Sequence, residues 1–268
     1  MTAASSNSFD YFQRIWDLRY FWFSLVHNDI RSRYRRSILG VGWSLLRPLG
    51  MTAIFCMVFG TLFKRDIASY APYVLIGMMT WQFIVESLLT GCHCFTHGSA
   101  YIRQQKIPHA IFPLRTILAA GFHFLVAFAL GMLITAYFRG VPSFAHLAFL
   151  PVAIVIVMIL GWSLAIIAGV SQTYFPDTSH LLEILMQILF YLTPIMFDPS
   201  DFPNRQRLGA VLSWNPLKSI LELFRQPLLY GELPTPFALA MSIGTTAVAA
   251  IIAWFLLRRL ERTLVFWL

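Results

Sequence analysis

The stretch Arg31-Ser32-Arg33-Tyr34-Arg35-Arg36 is followed almost at once by a long apolar segment, residues 41–63, which contains Pro48. An apolar segment of this length is long enough to cross a hydrocarbon core of about 30 Å as an α-helix. Clustered arginines beside such a segment are typical of the cytoplasmic side of a membrane. The junction therefore predicts the first membrane span of the chain and a cytoplasmic N-terminus.

The composition fits a membrane protein with several spans. The 268-residue chain is 58% hydrophobic and 12% charged, about half the charged fraction of an average soluble domain. Its apolar blocks are continuous rather than alternating, which argues against a membrane β-barrel. The net charge of +8 comes from basic residues that flank the apolar blocks. This placement favours orientation signals and contact with anionic lipids in the bilayer, and it excludes nucleic acid as a partner.

Five more apolar segments follow the first, and their lengths predict an all-α membrane protein with six transmembrane helices in a bundle of residues 41–257. The predicted spans are residues 41–63, 73–89, 116–138, 147–170, 181–197 and 237–257. An even number of spans places both termini on one side, and thirteen of the 20 Lys and Arg residues lie on that side. The positive-inside rule therefore predicts cytoplasmic termini, with residues 258–268 as a cytoplasmic tail.

Residues 9–36, which precede the first span, are amphipathic rather than spanning. Apolar residues recur at helical spacing along one face: Phe12, Ile15, Trp16, Phe23, Val26 and Ile30. The charged residues Arg14, Asp17 and Arg31 lie largely off this face. The pattern is typical of a helix in the plane of the membrane interface. A segment packed on other helices would show the same pattern, so the sequence leaves both arrangements open.

Residues 198–236, between the fifth and sixth spans, are too long and too apolar for a simple solvated loop. Asn215 followed by Pro216 predicts a helix start, with Asn215 as the N-cap. Beyond it, apolar residues recur at helical spacing: Leu217, Ile220, Leu221, Phe224 and Leu228. Lys218 and Glu222 form an i,i+4 pair on the opposite side, and Pro227 predicts a kink or an end of the helix.

This outer segment therefore predicts a re-entrant helix of the outer leaflet that gates the exit of a passage. Irregular backbone persists at membrane depth only where protein or water covers its polar groups. The predicted gate residues are Trp214, Asn215, Pro216 and Phe224. A helix that lies on the outer surface without a gating role is the alternative.

Sequence signatures of catalysis are absent. The chain has no G-x-x-x-x-G-K-[ST] phosphate loop, no G-x-S-x-G elbow and no H-E-x-x-H pair. We therefore expect no enzyme activity and no cofactor in this chain. Cys92-His93-Cys94 and His97 have metal-ligand side chains, but the C-x-C spacing is tighter than that of structural zinc sites, so we predict no metal site.

Glu86 is a carboxylate within the second predicted span, which makes it a functional candidate. Arg47 lies near the start of the first span at a similar predicted depth, so the sequence predicts a structural Arg47–Glu86 ion pair. A proton relay is disfavoured because no series of intramembrane acids continues from Glu86. His123, in the third span, is predicted to be packed or hydrogen-bonded.

Aromatic residues make up 16% of the chain. Seven of them fall inside spans one, two and five: Phe55, Phe59, Tyr73, Trp81, Phe83, Phe190 and Tyr191. Aromatic rings offer sugar rings a contact area without fixed hydrogen-bond geometry, so these seven are the predicted lining of a substrate channel. Interface anchoring and ordinary packing are the alternatives.

Three motifs resemble the permease subunit of type-2 ABC exporters of bacterial polysaccharides, the O-antigen, capsule and teichoic-acid group. The first is Asn28-Asp29-Ile30-Arg31-Ser32-Arg33-Tyr34 with Ser37-Ile38-Leu39-Gly40-Val41-Gly42-Trp43-Ser44 and Pro48. The others are Arg103-Gln104-Gln105-Lys106-Ile107-Pro108 and Trp214-Asn215-Pro216-Leu217. The resemblance covers essentially the whole chain, residues 1–268, as one ABC-2 type transmembrane domain of the bacterial inner membrane. It is specific to the family but not to the glycan.

The resemblance implies a homodimer with a channel at the dimer interface and a lipid-linked O-antigen or capsular polysaccharide as substrate. It also implies two copies of a separate ATPase subunit, which hold the ATP and Mg²⁺. Arg103, Gln104 and Lys106 would contact that subunit. In the turn between spans four and five, many relatives have an arginine before the aspartate, where this chain has Pro176 before Asp177. Asp177 is still a predicted ATPase contact and a predicted helix cap.

Two other functions fit parts of the sequence. A type-2 ABC permease for small lipids or drugs would share the span pattern, and the basic arm and outer helix argue against it only in part. An integral membrane transferase acting on lipid-linked substrates would need a cluster of polar catalytic residues in the spans, and the sequence lacks one.

Overall fold

The computed structural model describes residues 8–62, 65–104, 107–198, 212 and 214–267. Within these ranges the chain is built from helices that turns and non-helical stretches of up to six residues connect. The all-α fold class predicted from the sequence is therefore confirmed.

The N-terminal arm consists of two helices, α1 (Ser8–Asp17) and α2 (Arg19–Arg33). The break falls at Leu18, whose backbone angles of φ −86° and ψ 17° leave the helical region. Phe12 on α1 stacks on Trp254 from the last helix, with ring centroids 5.3 Å apart. Trp16 and Phe23 are 65% and 66% exposed. The arm thus packs on the bundle with one side and presents aromatic rings on another.

The first span, Gly40–Gly60, begins as a 3₁₀ turn, continues as α3 (Trp43–Phe55) and ends in a π-helical turn. Positive φ angles at Arg36 (67°) and Gly40 (50°) turn the chain from the arm into the span. Pro48 lies inside α3, where its ring and missing N–H interrupt the helical hydrogen bonds. Most of the span is exposed or half-buried, so this helix has a face that the protomer itself does not cover.

Four further helices are long and apolar enough to cross a membrane: α4 (Ile67–Cys92), α6 (Ile111–Arg139), α7 (Phe144–Tyr174) and α10 (Pro236–Trp267), the last as far as Arg259. Shorter helices lie between them: α5 (Cys94–Gln104), α8 (Thr178–Leu192) and α9 (Pro216–Arg225). The described ranges therefore hold five helices of spanning length, where the sequence predicted six. The predicted fifth span corresponds to α8, which has 15 residues.

The early end of α8 has a local cause. The ring of Pro194 disfavours helical backbone at the residue before it, and Thr193 leaves the helix with a ψ of 135°. The fifth predicted span ran through this point to residue 197, so its end is corrected to Leu192. Residues 193–198 continue as non-helical backbone.

Helix α4 is the centre of the bundle and is buried along most of its length against α3, α6, α7 and α9. Small residues let its neighbours approach closely. Gly161 of α7 lies against Phe83 and Ser87, and Gly131 of α6 lies against Met79. The Ser87 hydroxyl donates to the Phe83 carbonyl at 2.7 Å, so this buried polar group is satisfied within the helix.

We predict that Gly91→Ala destabilises the fold because a Cβ atom at Gly91 would lie 2.6 Å from the Cα of Ala165 on α7. Forcing the two backbones apart should cost about 1–3 kcal/mol. The matched control is Gly244→Ala on α10, where a Cβ atom meets nothing within 4 Å. Thermal unfolding of the purified protein in detergent should show a lower midpoint for the first variant alone. Equal midpoints would contradict the close α4–α7 contact.

Candidate functional site

Polar side chains gather at two opposite ends of the bundle. The arm end is where α2 meets the first span, α4 and α6, and its ion pairs include Arg33 and Arg115. The far end is where α9 and residues 193–198 meet α4, and Arg225 lies there. The core between the two ends consists mainly of apolar side chains.

At the far end, residues 193–198 run through a largely buried region as non-helical backbone. Carbonyl groups of such a segment need donors from side chains, because a buried carbonyl without a hydrogen-bond partner is costly. The Tyr70 hydroxyl donates to the Met196 carbonyl. The Tyr73 hydroxyl lies 3.2 Å from the Pro194 carbonyl oxygen. Two tyrosines one turn apart on α4 thus supply donors to the broken chain.

Arg225, from α9, completes this arrangement. Its side chain is only 3% exposed. The guanidinium donates to the carbonyls of Pro194 and Ile195 at 2.7 Å each, and to the Tyr73 carbonyl at 3.2 Å. It also lies over the Tyr73 ring, 3.6 Å from the centroid. We call Tyr70, Tyr73 and Arg225 the carbonyl clamp.

The clamp depends on a glycine and on the shape of the arginine head group. A Cβ atom at Gly77 would collide with the Arg225 guanidinium. The rigid fork of five N–H donors lets arginine reach several acceptors at once. From the sequence, Arg225 was counted only as one of the basic residues of the outer segment between spans five and six, and this role was missed. The signal was its spacing: Arg225 follows Leu221 by four residues and precedes Leu228 by three, which places it on the apolar face of the helix.

Helix α9 starts as predicted. The Asn215 side chain accepts from the Leu217 N–H at 2.9 Å, and Pro216 is the first helical residue. The predicted Lys218–Glu222 pair is present at 3.3 Å. The α-helix ends at Arg225 and continues as a π-helical turn that contains Pro227, which agrees with the predicted kink.

Two predicted gate residues of this helix lie in different environments. Trp214 is 70% exposed. Phe224 is fully buried and packs against the rings of Phe124 and Phe128, at 5.9 and 5.2 Å between centroids. Phe224 is therefore a core residue of the protomer rather than a residue at a surface exit, and this part of the prediction is corrected.

At the arm end, the structure gives Glu86 a different partner from the predicted one. Arg33, at the end of α2, donates to the Glu86 carboxylate at 2.5 Å. Arg47 lines the same cavity as Glu86 but does not form the pair. The sequence placed Arg33 outside the membrane, in the arm before the first span. In the structure, the end of α2 lies beside α4 and brings Arg33 to the depth of Glu86.

Two more contacts fasten the arm to the bundle. The Asp29 carboxylate accepts two hydrogen bonds from the Arg115 guanidinium at the start of α6. The Tyr34 hydroxyl lies 2.8 Å from Nδ1 of His123 and 2.6 Å from the Ser44 hydroxyl. His123 is thus hydrogen-bonded, as predicted. Together these contacts link α2 to the first span, α4 and α6.

Five of the seven predicted channel residues form one chain of ring contacts. Phe55 lies 5.9 Å from Phe59 and 6.1 Å from Phe190, whose ring also contacts Trp81 and Tyr191 at 5.8 and 5.4 Å. The last three line an open groove of 330 Å³ between the first span, α4 and α8. We call it the aromatic groove.

The aromatic groove also has polar side chains on its wall: Arg47, Gln82, Glu183 and Gln187. The other two predicted channel residues lie elsewhere. Tyr73 belongs to the carbonyl clamp, and Phe83 is 2% exposed and packs on Phe124 with centroids 5.1 Å apart. Neither reaches the groove, because both point from α4 into the core of the protomer.

The predicted ATPase contacts lie on short connections. Arg103 and Gln104 are exposed at the end of α5, and Asp177 is exposed before α8. Lys106 lies outside the described residues. Asp177 makes no side-chain cap of α8, so that prediction is wrong. Gln172 fixes the turn instead: its amide donates to the Pro176 carbonyl at 2.6 Å and accepts from the Ser179 N–H at 2.7 Å.

Cys92, His93 and Cys94 do not form a common site, because α4 ends at Cys92 and α5 begins at Cys94. Cys94 is 3% exposed and packs beside Gly169, and burial raises the pKa of its thiol. A raised pKa disfavours the thiolate that a metal ion requires. Among the described residues, no group of three or more His, Cys, Asp or Glu side chains is arranged to hold a metal ion.

Comparison with known proteins shows the family to which this chain is related. The family model of the ABC-2 type transporter matches residues 20–229. The O-antigen export system permease protein RfbA of Klebsiella pneumoniae is 24% identical over 78% of this chain and 80% of its own length. The polysialic acid transport protein KpsM of Escherichia coli is 26% identical over 90% of this chain and 92% of its own length. RfbA of Myxococcus xanthus is 20% identical over 86% of this chain and 87% of its own.

We predict that Arg225→Met lowers stability by several kcal/mol. The change removes three hydrogen bonds from a charged donor, each worth about 1.5–3 kcal/mol, and leaves the buried Ile195 carbonyl without its donor. Arg259→Met, at an exposed position of α10, is the matched control. Detergent-solubilised yield and the thermal midpoint should fall only for the first variant. If Arg225→Met unfolds at the control's temperature, the clamp does not hold the far end together.

Proposed function

Because the chain belongs to the ABC-2 type transporter family, we propose that it is the membrane permease subunit of an ATP-driven exporter of lipid-linked polysaccharide. The observation that carries the proposal is the similarity, over most of both chains, to relatives named for O-antigen export and polysialic acid transport. ATP hydrolysis then takes place in a separate ATPase subunit, present in two copies, which binds the ATP and Mg²⁺.

In this proposal both termini face the cytoplasm of a bacterial cell, so the arm end is cytoplasmic and the far end is periplasmic. Six segments cross the inner membrane, with α8 as the shortest. Two features support this: most Lys and Arg residues flank the predicted spans on the arm side, and α8 is extended through the bundle by residues 193–198. The clamp would then supply the missing donors in the outer half of the bilayer.

The proposal further includes a homodimer with the substrate path along its seam. The first span and α8 support it, because both expose large apolar side chains that the protomer leaves uncovered. Met57 is 77% exposed on the first span, and Leu181 and Ile188 are 65% and 53% exposed on α8. The aromatic groove lies between these two helices, so a second copy on this face would enclose it.

The mechanism follows from these positions. Closure of the ATPase subunits moves the connections that carry Arg103 and Asp177, and the seam opens. The lipid head and first sugars enter at the arm end. The glycan then slides along the aromatic groove, since rings give contact area without fixed hydrogen bonds. Helix α9 and the clamp keep the outer half of each protomer ordered during passage.

Deletion of the gene tests the proposed function. Lipid-linked polysaccharide should accumulate inside the cells and should return to the surface when the gene is supplied again. The measurement is the accessibility of the polymer to an external glycan probe, in intact cells and in lysed cells. Unchanged surface glycan would contradict the proposal and would favour a permease for small lipids or drugs.

We also predict that Tyr191→Ala reduces export. Tyr191 is 59% exposed in the groove, so the change removes ring contacts with the glycan at little structural cost. Contacts worth about 0.5–1.5 kcal/mol correspond to a loss of up to about ten-fold in rate. Trp81→Ala should also reduce export, but Trp81 is 5% exposed and its removal costs about 3–5 kcal/mol of stability.

The matched control is Tyr137→Ala on α6, where the tyrosine is 84% exposed and lies outside the groove. Surface glycan should be measured at equal amounts of assembled permease in the membrane. Normal export by Tyr191→Ala would remove the groove from the substrate path without touching the family assignment.

A further inference from the structure

A cavity of 130 Å³ lies at the arm end between α2, the first span, α4 and α6. A site of about 10–15 Å³ already admits one water molecule, so this cavity has room for a group of several atoms. The polar side chains on its wall are Arg33, Tyr34, Ser44, Arg47, Gln82, Glu86 and His123. We call it the head-group cavity.

His123 presents an unused hydrogen-bonding atom in this region. Its side chain is 5% exposed, and Nδ1 lies 2.8 Å from the Tyr34 hydroxyl and 3.3 Å from the Ser44 hydroxyl. With a hydroxyl donating to Nδ1, the neutral ring carries its proton on Nε2. Within the described part of the chain, Nε2 is buried and has no hydrogen-bond partner. A buried donor of this kind calls for an acceptor.

Arg47 brings an uncompensated positive charge to the same wall. Across the ranges that the structure describes, Arg47 forms no ion pair and no hydrogen bond, whereas the Glu86 charge is already matched by Arg33 at 2.5 Å. The lining therefore has an excess positive charge. Arg47 lies seven residues beyond Gly40, which is about 10 Å along the span. A cation at that depth in a membrane is costly unless an anion accompanies it.

We propose that the head-group cavity binds the phosphate group of a lipid, with the Arg47 guanidinium and the His123 Nε2–H as direct donors. Phosphate offers acceptor oxygens to both groups, and arginine is suited to bidentate contact with it. The Gln82 amide is a third donor on the wall. Water alone would satisfy Nε2 but would leave the charge of Arg47 unmatched.

The phosphate has two possible sources, the lipid of the transported glycan or a phospholipid of the adjacent leaflet. The first source rests on the proposed function, and the second does not. Both place the phosphate at the arm end, where the arm, the first span and α4 meet. A lipid held there would lie next to the aromatic groove, because Arg47 and Gln82 line both cavities.

Native mass spectrometry of the purified full-length chain in detergent tests the proposal. The probes are undecaprenyl phosphate, phosphatidylglycerol and a diacylglycerol without phosphate. We expect the two phosphate lipids to bind and the diacylglycerol to bind much more weakly. Arg47→Gln should weaken phosphate-lipid binding about ten-fold, as expected for the loss of one charged hydrogen bond. The matched control is Arg31→Gln, since Arg31 is exposed on the arm and is not part of the cavity wall.

Two changes at His123 separate binding from folding. His123→Asn keeps an amide near the Nδ1 position, where Tyr34 bonds, and removes the Nε2 donor, so it should weaken binding as Arg47→Gln does. His123→Gln keeps a donor near the Nε2 position and should bind more tightly than His123→Asn. The thermal midpoint of each variant is measured beside its lipid binding, so that a loss of folding is distinguished from a loss of binding.

The outcomes are distinct. Tighter binding of undecaprenyl phosphate than of phosphatidylglycerol supports a polyprenyl carrier lipid as the source, and tighter binding of phosphatidylglycerol supports a phospholipid. Equal binding of diacylglycerol, or wild-type binding by both Arg47→Gln and His123→Asn, overturns the proposal. Loss of surface glycan on gene deletion is measured separately, so failure of the exporter assignment and failure of the phosphate site give different results.

Discussion

The far end of this bundle depends on one constraint, which is that buried backbone carbonyls need hydrogen-bond donors. Pro194 ends α8 early, and residues 194–198 continue as non-helical backbone. Arg225, from α9, donates to two carbonyls of this stretch and to the Tyr73 carbonyl of α4, and its guanidinium stacks on the Tyr73 ring. Because α4, α9 and the end of α8 all meet at this guanidinium, their packing is one cooperative arrangement. Gly77 is part of it, since no side chain fits beside the guanidinium.

The arm end is held differently, by ion pairs and a histidine network rather than by backbone carbonyls. Arg33–Glu86 and Arg115–Asp29 tie the arm to α4 and α6. In the proposed mechanism, such contacts join elements that ATP-driven motion moves relative to one another, whereas the clamp joins elements that stay together. The aromatic groove lies beside the uncovered faces of the first span and α8, between the two ends. This division supports a permease in which the cytoplasmic half moves and the outer half keeps its packing.

Features that depend on the length of apolar segments and on local residue patterns could be predicted from the sequence. It gave the all-α class, the start of α9 at Asn215 and the Lys218–Glu222 pair, because each depends on residues within a few positions of each other. It failed where a partner comes from a distant part of the chain. Glu86 was assigned to Arg47 because the return of Arg33 through α2 has no local signal. Phe83 and Phe224 were assigned to a channel and a gate because one sequence does not fix the rotation of a helix.

Transport by the purified system tests whether this chain moves polysaccharide across a membrane, as proposed. The chain is reconstituted with its ATPase subunit in vesicles, and lipid-linked polysaccharide is supplied on the side of the ATPase. The account predicts that the glycan becomes accessible to a probe on the opposite side only when ATP is hydrolysed. Movement of small lipids or dyes under these conditions, with the polysaccharide left in place, would contradict it.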